Sequence, residues 1–132
     1  MADRRLPLRI ALEEVLLVGL GAVPGALLRW QLAEHLNDQN VLVNVLGAAL
    51  LGLLAGLPAQ PRRQLLLGIG FCGSLTTFSS WMLAVVKQLA VGNWGEAIGL
   101  IALTLGLGLG AAALGFAAGR RFKPLKPPRS LP

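Results

Sequence analysis

The sequence predicts an all-α membrane protein with four transmembrane helices, the third of them broken near the bilayer midplane. Three observations carry that expectation. Of 132 residues, 55% are hydrophobic and only 14% are charged, and the mean hydropathy is +0.67, too apolar for a soluble domain of this length. Four apolar runs are each about long enough to cross a hydrocarbon core of ~30 Å, which takes ~20 helical residues. One of these runs contains the stretch GFCGSLTTFSSW, Gly70 to Trp81, which sets five hydroxyl side chains behind glycines in an otherwise apolar segment.

The first run spans Ile10 to Leu32 and follows Arg4, Arg5 and Arg9, a pattern shared with signal peptides. Three further spans follow and Arg29-Trp30-Gln31 is a poor cleavage region, so this run reads as a retained helix. The second spans Val41 to Leu57, the third Leu65 to Ala90 and the fourth Trp94 to Ala118. Short connections join them, giving a single four-helix transmembrane domain over residues 1–119 and a basic, Pro-rich, disordered cytoplasmic tail over 120–132. Gly52 and Gly56 form a GxxxG pair, a signal for close helix packing in lipid. Gly68-Ile69-Gly70-Phe71-Cys72-Gly73 also fits the dinucleotide pattern GxGxxG, but no strand precedes it and the next acidic residue is Glu96, so it carries no nucleotide chemistry. The lone Cys72 reads as a small packing residue.

The net charge of +6 would indicate nucleic acid in a soluble chain. Here it indicates orientation, because the charges lie between and beyond the apolar runs. Ten of the 12 Lys and Arg residues fall at the amino end, in the Arg62-Arg63 loop or in the tail, leaving Arg29 and Lys87 on the other side. The positive-inside rule then puts both termini in the cytoplasm and the chain in the cell inner (plasma) membrane.

In the third run, Gly73 to Thr77 lies roughly 12 to 18 Å along a helix starting near Leu65. Non-helical backbone at that depth survives only where protein buries it or where it lines a cavity. The alternative is an unbroken helix whose Ser74, Thr76, Thr77, Ser79 and Ser80 bond back to carbonyls one turn earlier; five hydroxyls in seven residues behind a glycine favour the break. Phe78 and Trp81 share a helical face, and ring edges carry positive potential that can line an anion's path. Asn44 stands alone among apolar neighbours, either as a helix-to-helix hydrogen bond or as an N–H donor to an anion. No carboxylate lies deep in a span, which weakens any proton-coupled pump. No His, Cys or acidic cluster has metal-ligand spacing, and nothing points to an enzyme.

These residues resemble the Fluc/CrcB fluoride channels. Gly70 to Ser80 looks like the signature of that family, Val43 to Gly52 (VNVLGAALLG) like its second-helix motif, and Gly25 to Trp30 (GALLRW) like its GAxxRY element. The resemblance covers all four spans, and only the third-span motif is highly specific. It implies an antiparallel dimer with two narrow, passive, fluoride-selective pores, releasing fluoride trapped in the cytoplasm when hydrogen fluoride enters and dissociates. It implies that the backbone carbonyls of Gly73 and Thr76, from both subunits, hold a structural Na⁺, that Asn44, Phe78, Trp81, Thr77 and Thr104 line the pore, and that Arg29 is a structural anchor. The sequence departs from the family pattern at three positions. Trp81 replaces a second phenylalanine, Asn40 a common threonine, and Leu100 the fourth-helix tyrosine of many members; Thr104 takes the small hydroxyl position one turn later.

A self-pairing antiparallel dimer needs both orientations to insert, and a basic bias of ten to two opposes that. The expectation is therefore one fixed orientation, completed by an inverted homologous subunit. Two alternatives remain: a non-conducting, partner-dependent subunit, motivated by Trp81 and the missing tyrosine, and a small multidrug exporter, which needs a carboxylate inside the first span that this chain lacks.

Overall fold

A computed structural model of the chain describes residues 7–37 and 39–122. Arg4, Arg5, Lys123, Lys126 and Arg129 of the charge count, with most of the expected tail, lie outside these residues. The elements in order are α1 (Leu8–His35), α2 (Val41–Gly56), α3 (Pro61–Arg63), a π-helix (Gln64–Cys72), α4 (Gly73–Leu75), α5 (Ser79–Ala90) and α6 (Trp94–Arg120). No strand occurs among the described residues, so the GxGxxG match has no dinucleotide context.

Three segments are long and apolar enough to cross a membrane: Leu8–His35, Pro61–Ala90 taken across its interruption, and Trp94–Arg120. The chain is an all-helical membrane protein. The fourth apolar helix, α2, has 16 residues, about 24 Å at 1.5 Å per residue, and is short of the hydrocarbon thickness. It stops one residue before the expected Leu57, because Pro58 disfavours helical backbone in the residue before it; Leu57 has φ −70° and ψ 160°. At its other end, Gln39 and Asn40 take positive φ, a turn that asparagine tolerates better than branched residues. His35, beyond the expected end of the first run at Leu32, closes α1, its Nδ1 lying 2.8 Å from the Gln31 carbonyl.

Two glycine seams hold the helices together. Where lipid is as apolar as the side chains, association depends on close backbone approach. In the first seam, a Cβ on Gly52 would strike the Ala112 carbonyl and one on Gly56 the Phe116 carbonyl. In return, Gly115 and Gly119 face the Ala49 and Leu53 carbonyls. The expected GxxxG pair is therefore one half of a reciprocal seam between α2 and α6. In the second seam, Gly21 and Gly25 of α1 lie against backbone of Leu66 and Phe71, while Gly70 answers against Val18 and Gly21.

The contacts also fix which ends lie together. Glu13 near the start of α1 pairs with Arg62 at 2.6 Å, and Gly56 abuts Arg120, so the start of α1, the 57–60 connection and the end of α6 share one end. Asn37, Gln39 and the start of α6 share the other, where Asn37, Gln39 and Glu96 line one cavity. Trp81, Val85, Ala97 and Leu100 form a buried cluster between α5 and α6.

Candidate functional site

The third segment gives up helical order in two stages. From Gln64 to Cys72 it is π-helical, a wider winding that no sequence signal had indicated and that often accompanies functional sites. After Leu75 the helix stops: Thr76 turns extended, with φ −77° and ψ 152°, and the chain restarts helically at Ser79. The interruption falls at the middle of Pro61–Ala90, where the hydroxyl cluster had placed it. Ser74 and Thr76 nevertheless bond back to Phe71 and Cys72 carbonyls at 3.1 and 3.0 Å, so the unbroken-helix pattern operates up to the break and fails there.

Polar groups from other helices hold the break open. The Thr77 N–H donates to Asn44 Oδ1 at 2.8 Å, and Asn44 Nδ2 donates to the Thr77 carbonyl at 3.1 Å. In a continuous helix the Thr77 N–H would serve the Gly73 carbonyl, so Asn44 releases that carbonyl. Thr77 then caps the restart, its Oγ1 accepting the Ser80 N–H at 3.3 Å, as an N-terminal hydroxyl does for orphan amides. Arg29 Nη1 donates to the Thr76 carbonyl at 3.4 Å, which places this residue against the break rather than out at the interface.

A cavity of about 350 Å³ opens beside the break. Asn44, Thr77, Phe78, Trp81 and Thr104 all line it, together with Thr76; the five residues expected to form one path are brought together. Phe78 and Trp81 meet edge-to-face at 5.8 Å between centroids, and Trp81 Nε1 donates to Thr104 Oγ1 at 3.1 Å. Thr77 and Thr104 are each 7% exposed and Trp81 6%, whereas Phe78 is 71% exposed. The remaining lining, Ala48, Leu105, Gly108, Leu109 and Ala112, was missed; Gly108 and Ala112 follow Thr104 at steps of four on α6, a small-residue stripe that was visible in the sequence. Leu100 does not line this cavity and is buried in the α5–α6 cluster.

A second cavity of about 230 Å³ shares Asn44 and Thr76 with the first and is lined by Gly47, Cys72 and Gly73 among others. Gly73 and Thr76, the two expected ligand positions, therefore share a cavity that neither aromatic ring lines, and Thr76 borders both cavities. Among the described residues, no group of three or more His, Cys, Asp or Glu could hold a metal ion. Any cation held here would take backbone oxygens, the released Gly73 carbonyl and the free lone pair of the Thr76 carbonyl, which suits a hard ion.

Residues 16–116 match the family model described as "CrcB-like protein, Camphor Resistance (CrcB)". The chain belongs to the CrcB family. This CrcB chain is 73% identical over 130 residues, 98% of each chain, to "Fluoride-specific ion channel FluC 2" of Synechococcus sp. (strain CC9605). It is 72% identical over 132 residues, the full length of both, to the protein so named in Parasynechococcus marenigrum (strain WH8102). That same strain has a "Fluoride-specific ion channel FluC 1", 38% identical over 117 residues, 80% of this chain and 93% of the other. The family is one of ion channels and not of enzymes.

Proposed function

We propose that this chain is a subunit of a passive, fluoride-selective channel that lowers cytoplasmic fluoride, and that it crosses the membrane four times with both termini in the cytoplasm. The observation that supports this best is Asn44. Thr77 uses its carbonyl oxygen and one of its two amide hydrogens, and the backbone partners fix which way the amide points, because an N–H must meet Oδ1 and a carbonyl must meet Nδ2. What Asn44 has left for the cavity is an N–H donor.

Fluoride holds its hydration shell tightly, and entering a narrow path means exchanging water for other donors. A fixed Lys would bind the ion too strongly to release it. Asn44 and Thr104 offer neutral N–H and O–H groups, and Phe78 offers a weakly positive ring edge. Gly73 and Thr76 are the residues that would hold a structural Na⁺ through their carbonyls; bound there, it would supply fixed positive charge beside the path.

Phe78 also supports a dimer. A large ring that lines the cavity yet is 71% exposed calls for a covering surface, and an antiparallel second subunit would provide it. The charge bias of ten to two and the pairing of FluC 2 and FluC 1 relatives in one strain favour an inverted homologous subunit as that partner over a second copy. Reporters fused to the carboxyl end should then lie on the cytoplasmic face alone; equal amounts on both faces would exclude a fixed orientation. Expression in a host lacking its own fluoride exit, alone or with a FluC 1-type chain, should restore growth in fluoride, and no rescue by either combination would oppose the channel reading.

A further inference from the structure

We infer that Trp81 is a positioning residue for the anion path, fixing the Thr104 hydroxyl as a donor into the cavity and so setting fluoride preference through Thr104 rather than through its own ring. This rests on the fluoride-channel reading above.

The direction of the Trp81–Thr104 bond is unambiguous. An indole Nε1 can only donate, and a hydroxyl has one proton and two lone pairs, so at 3.1 Å Thr104 Oγ1 is the acceptor and keeps its proton. A threonine inside a helix commonly spends that proton on the carbonyl four residues back, as Thr76 does on Cys72. Thr104 makes no such bond among the described residues. Its free proton therefore belongs to the cavity that Thr104 lines with Asn44 and Phe78.

The indole cannot easily turn away from this role. Its ring is wedged against Phe78 edge-to-face and packed with Val85, Ala97 and Leu100. A chain of N–H to O–H to anion also polarises each link, so the indole strengthens the donor it orients. Phenylalanine at this position would fill much of the space and keep a ring edge toward the cavity, but it would leave the Thr104 hydroxyl free to reverse. The opposite view of Trp81, as an oversized ring that obstructs the pore, expects a faster channel when the ring is trimmed.

The test uses the full-length chain in liposomes, alone or with a FluC 1-type chain, whichever conducts, and reads fluoride and chloride efflux for native, Trp81→Phe, Thr104→Val, the double variant and Thr104→Ser. A neutral hydrogen bond corresponds to roughly tenfold in rate. Trp81→Phe and Thr104→Val should each slow fluoride about tenfold, the double variant should fall no further, and Thr104→Ser should recover the flux lost in Thr104→Val. Unchanged or faster flux in Trp81→Phe, or a further tenfold drop in the double variant, would overturn the inference. If the native chain conducts in neither assembly, the channel reading fails and a second readout decides the inference independently. In the ¹⁵N spectrum, the Trp81 indole resonance, identified by its loss in Trp81→Phe, should shift with added fluoride and not with chloride, and should stop responding in Thr104→Val. A Trp81 resonance indifferent to fluoride would overturn the inference, and this readout does not depend on Trp81→Phe conducting.

Discussion

The α2–α6 seam and the break at Thr76–Phe78 are both places where the chain departs from ordinary helix design, and they do so for opposite ends. In the seam, side chains are deleted so that two regular helices can touch backbone to backbone, and nothing polar is released. At the break, the backbone itself leaves the helix, and Asn44, Arg29 and the Thr77 hydroxyl satisfy what is freed. The seam is stability without chemistry. The break costs stability and leaves an amide donor from Asn44 at the first cavity and, at the second, the Gly73 carbonyl that a regular helix would have consumed.

That contrast can be broken by substitution. Gly56→Leu should have the largest effect, because its side chain would enter the backbone of Phe116 and Gly119; a loss of about 3 kcal/mol or more is expected, seen as early thermal unfolding in detergent. Asn44→Ala should come next. It strands both the N–H and the carbonyl of Thr77, at ~1–3 kcal/mol for each group that stays dry, and it should abolish fluoride flux even where the protein remains folded. Arg29→Met removes one long bond to the Thr76 carbonyl, and about 1.5 kcal/mol in stability is expected, the low end for a charged donor. Glu13→Ala should change stability by less than ~0.5 kcal/mol, since its partner Arg62 lies at the surface. Gly19→Ala is the control that sharpens the seam argument, for a Cβ there meets nothing within 4 Å, and its stability should stay within ~0.5 kcal/mol of native.

Local pattern made much of this legible. The GxxxG pair announced a seam, and Ser and Thr residues crowded behind Gly73 announced a break, because both signals sit within a few residues of one another. The partners of those signals could not be read the same way. Nothing near Asn44 names Thr77, and nothing near Trp81 names Thr104; these bonds depend on how α2 and α6 cross the third segment. The π-helix was hidden for a different reason: Gln64 to Cys72 is an ordinary apolar run with glycines, and the seating of Gly70 against Val18 and Gly21 of α1 is a tertiary contact that no local pattern names. Arg29 was expected as a structural anchor with no partner named, and only the fold brings its guanidinium to the Thr76 carbonyl.

The central claim is that a cavity of neutral donors beside the break passes fluoride and little else. Its most direct test is the initial rate of fluoride efflux, read by electrode with chloride as control, from liposomes holding the purified chain alone and then paired with a FluC 1-type chain, each compared with its Asn44→Ala variant. Rapid fluoride-selective release in at least one assembly, abolished by the variant, is the expected result. Folded protein that releases fluoride no faster than empty liposomes in both assemblies, or that releases it equally well without Asn44, would contradict the claim.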